Sequence, residues 1–421
     1  MEALEKRNTL GRIAEINSIK SSLSPFRIMP EYITVYPEVV IKALGNLYIE
    51  YNKAFDPLVV MNREWDTDYQ YCFNNGVPVN WCVQIDMVGL DDKSLDEAKH
   101  MSEEDVREIL RKKIFEIENS IAVYQLLENF FAKNGNGSFF KTRYRVLLES
   151  IRQRFGMPIA LLAVTQPKYD AMLASEFGKF SGENLTDQEV KELSGFDTFF
   201  GPKQFREYLA ANNGQCGYLL YVRSSDPVDK LKKPEIVVDH PLLGDAEMRR
   251  TIKAHTLTLN IDAPGMSSDK RINDTKDYMP SIGMGFSVFS IKDLFSAHFN
   301  AYLSSLDLED VTILRAKPIK GAYGCYGHIR GSLQQERFLN ELAKNLVSRG
   351  PYIVQPEIEP PVASDSAGVE YVYIDRVFFG IINEHPAFIG GVRNLMPAES
   401  ADARRGRIHG SRDAVYAEII G

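Results

Sequence analysis

The chain has 421 residues, 44% of them hydrophobic and 25% charged, enough apolar material for the cores of two or three domains. A formal net charge of -8 argues against nucleic acid as the main partner, because phosphate backbones are bound by clustered Lys and Arg. The four cysteines, Cys72, Cys82, Cys216 and Cys325, form no Cys-x-x-Cys pair and have no histidines at zinc spacing, which predicts neither a disulfide framework nor a structural zinc. No stretch approaches the roughly 18 apolar residues of a membrane span, so a cytoplasmic protein with no membrane association is expected.

In chain order, 58–73 (LVVMNREWDTDYQYCF) and 78–88 (PVNWCVQIDMV) read as two strands flanking a hairpin turn at Asn74-Asn75-Gly76. From 102 to 155 apolar residues recur at helical spacing, predicting two helices separated by a Gly-rich break at 134–137, with Ser102 capping the first. The run MPIALLAV (157–164) is continuous and apolar, as in a strand buried on both faces. Helix-like segments at 167–180, 185–196 and 201–214 then alternate with strands at 217–223 and 257–261, which favours a mostly parallel sheet. The polar stretch 263–278 reads as a surface connection.

Residues 310–330 read DVTILRAKPIKGAYGCYGHIR: a strand bearing Lys317, a second lysine at 320, and then Gly321, Gly324 and Gly327 at every third position. Glycines let a loop fold over a polyphosphate with its N–H groups facing inward, and a lysine on the adjoining strand adds charge. A helix over 333–348 and a strand over 351–359 (PYIVQPEIE) follow. Two alternating strands joined near 383–386 come next, placing Arg376 and Arg393 on one face.

A lysine strand, glycine loop, helix and Gln/Glu-rich linker in this order resemble the nucleotide-binding part of the ATP-grasp superfamily of carboxylate-amine ligases. The closing stretch with Gly410, Ser411 and Asp413 is similar to that of its circularly permuted branch. The resemblance implies an α/β (α+β) chain: an N-terminal mixed region at 1–155, a Rossmann-like α/β domain at 156–275 and an ATP-grasp region at 276–421, with the N-terminal segment completing the site. It implies ATP and Mg²⁺, with Lys317, Lys320, Gly321, Gly324 and Gly327 around the phosphates. Gln355, Glu357 and Ile358 would lie at the adenine and Glu359 at the ribose. Arg376 and Arg393 would hold an acyl phosphate as charge develops, since Arg binds such groups bidentately.

No Glu-x-Asn metal strand follows Arg393, so permutation would place the metal strand at 83–89, with Gln84 and Asp86 in place of Glu and Asn. Asp375 and Glu418 compete for the same role. The expected activity is ATP-dependent joining of a small-molecule carboxylate, such as an amino acid or small peptide, to an amine, in a chain able to form homo-oligomers. A catalytically inactive nucleotide-binding sensor or partner subunit is the alternative.

Overall fold

A computed structural model describes residues 27–61, 81–118, 139–164, 195–200, 202–224, 285–305, 313–319, 328–357, 359–364, 368–400, 403 and 414–421. The chain begins there with strand β1 (Arg27–Val35), helix α1 (Glu38–Met61), β2 (Cys82–Val88), α2 (Asp92–Ala98), α3 (Glu103–Arg111), β3 (Ile114–Glu118) and α4 (Phe139–Phe155). It continues with β4 (Ile159–Val164), β5 (Thr198–Phe200), α5 (Pro202–Ala211) and β6 (Leu219–Ser224). Then come β7 (Phe286–Val288), a 3₁₀ turn (Ile291–Phe295), α6 (Ala297–Ser305), β8 (Leu314–Pro318), β9 (Ile329–Gly331), α7 (Glu336–Arg349) and β10 (Tyr352–Pro356). The last strands are β11 (Val362–Ser364), β12 (Glu370–Ile382), β13 (His385–Pro397) and β14 (Val415–Ile420).

These strands form three sheets, a mixed α/β architecture. The largest runs β1-β14-β13-β12-β2-β3, with β11 added beside β12, so it draws strands from both the first and the last part of the sequence. Its pairs are antiparallel except β1 with β14. A four-stranded antiparallel sheet has the order β7-β10-β8-β9, and a three-stranded parallel sheet the order β5-β4-β6. The apolar run at 157–164 therefore becomes the middle strand of the parallel sheet, as its composition implies.

The main core lies where α1 crosses one face of the large sheet. Val40, Ala43, Leu44, Leu47, Tyr48 and Tyr51 recur at helical spacing and pack on Val83, Ile85, Met87, Val377, Phe379 and Ile419. This same period carries α1 through residues 58–61, which replaces the expected strand there by the end of the helix. β2 in turn takes its two neighbours from β12 and β3, not from a preceding hairpin strand. The turn expected at 74–76 lies outside the described residues.

Ser102 caps α3 as anticipated, its Oγ accepting from the Asp105 N–H at 3.2 Å. The helix predicted to continue beyond it instead stops at Arg111, and 114–118 is strand β3. Ile114 and Ile117 are buried against the α1 face while Glu116 pairs with Asp86, so burial at the sheet edge overrides helical periodicity. The second helix expected, after the break at 134–137, is present as α4.

The hairpin of β12 and β13 turns at Asn383 and Glu384, both with positive φ (49° and 68°), the two-residue geometry whose twist matches the flanking strands. Along that hairpin, a Cβ built on Gly391 would come within 2.6 Å of the Arg376 carbonyl oxygen on the neighbouring strand. Gly391→Ala is therefore expected to destabilise the protein by about 1–3 kcal/mol, read as a lower denaturation midpoint. Among the described residues, no helix is long and apolar enough to cross a membrane.

Candidate active site

Side chains alternate across a strand, so the register of the large sheet decides which residues share its second face. Glu116 of β3 lies opposite Asp86 of β2, Asp86 opposite Arg376 of β12, Arg376 opposite Val392 of β13, and Val392 opposite Glu418 of β14. A row of charged groups thus crosses the sheet on the face away from α1. Asp86 is 1% exposed; the Arg376 Nη2 lies 2.9 Å from its Oδ2, and Gln84 Nε2 donates to its Oδ1 at 2.7 Å. Burial pushes the Asp86 carboxyl up to about 6, and the Glu116 charge adds to this, against the opposing pull of Arg376, Gln84 and Lys317.

The four-stranded sheet brings its own polar face to this row. Leu314, Ala316, Tyr352 and Val354 turn into a core with Phe338 and Leu342 of α7. The alternate positions, Arg315, Lys317, Ile353 and Gln355, share the other face, where Lys317 pairs with Ile353 and Arg315 with Gln355. Lys317 Nζ lies 3.9 Å from Glu116 Oε2 and 5.3 Å above the centre of the Phe115 ring. Gln355 Nε2 donates to the Phe115 carbonyl at 3.3 Å. Phe115 is the extra residue of an irregularity in β3, since Asp86 faces Glu116 but Met87 faces Ile114. Such a bulge re-aims side chains, here toward the second sheet.

Lys317, Gln355, Asp86, Gln84 and Arg376 are therefore brought near one another, and Glu116 joins them. The expectation that Arg376 and Arg393 share a face is corrected: Arg376 faces Val392, so Arg393 projects to the α1 side. There its Nε and Nη2 donate to the two Asp375 oxygens at 2.8 and 2.9 Å, and Nη2 also donates to the Leu90 carbonyl at 2.5 Å. Tyr36 and the Leu90 N–H donate to Asp375 Oδ2 at 2.6 and 3.1 Å. Asp375 is thus separated from Asp86 by the sheet, and the two do not lie at one ion.

Glu357 accepts from Arg315 at 2.6 Å and also from Arg330, while its N–H donates to the Ile313 carbonyl. Glu359 is exposed. Lys320, Gly321, Gly324, Gly327, Ile358, Gly410, Ser411 and Asp413 lie outside the described residues. Glu116 was hidden by the helical reading of 102–131; the alternation of Ile114, Glu116 and Glu118 with their neighbours was the available signal.

Among the described residues no group of three or more His, Cys, Asp or Glu side chains is placed to hold a metal ion. Mg²⁺ does not require one, because it uses one or two carboxylates together with substrate phosphate and water. Asp86 and Glu116, opposite one another on neighbouring strands, are the two carboxylates that would meet that demand, each now facing a protein cation, Arg376 and Lys317. A scan against protein-family models finds no match for this chain, and a search of curated proteins finds no relative.

Proposed function

We propose that the chain is an ATP-dependent carboxylate-amine ligase with an ATP-grasp fold of the circularly permuted kind, binding ATP between the four-stranded and seven-stranded sheets. The observation that carries this reading is the approach of Lys317, on the strand entering the glycine loop, to the buried row Glu116, Asp86 and Arg376. The position of β2 beside β12, far apart in sequence, supports the permuted order.

In this reading Lys317 leaves its loose 3.9 Å contact with Glu116 for a phosphate oxygen, a stronger partner for a buried ammonium. Asp86 and Glu116 would hold Mg²⁺, which when bound offsets the charge of the polyphosphate. Arg376 would stabilise charge as a substrate carboxylate oxygen takes the γ-phosphoryl group of ATP, releasing ADP and leaving an acyl phosphate, from which an amine then displaces phosphate and loses a proton to give the amide. The work is positioning and electrostatics, so no Ser-His or Cys-His pair is required.

Calorimetric titration with ATP, with and without Mg²⁺, tests the reading in wild type and Lys317→Ala. Mg²⁺-dependent binding, weakened at least about tenfold in the variant, is expected. If wild type does not bind ATP, the ligase reading fails.

A further inference from the structure

Asn394 sits in the middle of β13, opposite Ile374 on one side and Tyr416 on the other. It is 0% exposed, and among the described residues neither its Nδ2 nor its Oδ1 has a hydrogen-bond partner. Both ends of a primary amide left empty in a sheet interior is a heavy desolvation cost, and native sheets keep such groups where something else supplies the partners.

The neighbours of Asn394 narrow what that something is. Because Arg376 and Glu418 both lie opposite Val392, two residues away, each is a diagonal neighbour of Asn394 on the same face. Pleat geometry puts diagonal neighbours about 7–8 Å apart, within reach of long side chains. Asn394 thus stands between a carboxylate that is 2% exposed and a guanidinium. A metal ion would suit Oδ1 and leave the amide N–H groups empty; an isolated anion would suit Nδ2 but face Glu418. A ligand with a donor cation at one end and an acceptor anion at the other suits both ends of the Asn394 amide and matches the charges on either side of it, while Arg376 keeps its 2.9 Å pair with Asp86.

We propose that Asn394, Glu418 and Arg376 form a subsite for a zwitterion, an α-amino acid whose ammonium lies toward Glu418 and Asn394 Oδ1 and whose carboxylate lies toward Arg376 and Asn394 Nδ2. Its role as a ligase substrate rests on the proposed function above; its binding does not. The three residues come from separate strands, β12, β13 and β14, so only the assembled sheet creates the subsite.

The test is calorimetry of the full chain without nucleotide, so that failure of the ATP site and failure of this subsite give different results. The probes are the common L-amino acids, with acetate and methylamine as single-charge controls, against wild type, Asn394→Leu and Glu418→Gln. At least one amino acid is expected to bind wild type better than either control, and to bind both variants at least about tenfold more weakly. Asn394→Leu, which replaces an unpartnered amide by an apolar group of similar size, is expected to unfold at a temperature no lower than wild type. Absence of amino-acid binding to wild type, equal binding by both variants, or a marked loss of stability in Asn394→Leu would each overturn the proposal.

Discussion

Arg393→Ala is expected to lower the unfolding free energy by about 3–5 kcal/mol, the cost of leaving a buried partner charge uncompensated. Arg393 and Asp375 are 1% and 0% exposed and share two hydrogen bonds of 2.8 and 2.9 Å. The guanidinium also stacks 4.5 Å from the centre of the Tyr373 ring, and Asp375 accepts further hydrogen bonds from the Tyr36 hydroxyl and the Leu90 N–H. Burial and the Asp375 charge push the Tyr36 hydroxyl well up, so it stays a donor throughout the accessible pH range. The network joins β12, β13, the chain after β2, and the approach to α1. Urea denaturation at neutral pH measures the loss. An Asp375→Leu/Arg393→Met double variant is expected to recover much of it, because replacing both charges removes the orphan that either single change creates. A change near zero in Arg393→Ala would show that the network carries little.

Asp86→Asn is expected to remove a pH dependence of stability. An acid whose folded pKa lies above its unfolded value binds its proton more tightly in the folded chain. The resulting stability is fully present below about pH 4 and is lost as pH rises through about 6. The rise from 3.8 to about 6 corresponds to about 3 kcal/mol for this fully buried group. Wild type should therefore lose up to about that much, relative to Asp86→Asn, between pH 4 and 7. Carboxylates away from Asp86 titrate alike in both proteins and cancel in the difference. Parallel pH series of urea denaturation would show it, and superimposable profiles would contradict it. A carboxylate kept at such a cost beside Glu116 and Arg376 is what a charge-handling site requires. Under the proposed function, Asp86→Asn is also expected to weaken Mg²⁺-dependent ATP binding.

Local pattern made much of this protein readable from its residues. Continuous apolar runs marked the parallel strand at 159–164, Ser102 marked a helix start, and alternation marked the long hairpin at 370–397. The candidate site residues Lys317, Gln355, Asp86 and Arg376 each fell on a segment read as a strand. These are properties of a few neighbouring residues, set by helix and strand periods and by capping.

What lay beyond reach of the sequence was pairing between distant segments. Arg376 and Arg393 are seventeen residues apart on adjacent strands, and only the register, set by a bulge beside Phe378, sends one to each face of the sheet. Glu116 looked helical until the edge of β2 offered its segment hydrogen bonds and buried Ile114 and Ile117. Asn394 gained its meaning from Glu418 and Arg376, brought beside it by two different strands. Periodicity is written in the chain, whereas register and face are decided by burial summed over strands that the chain order keeps apart.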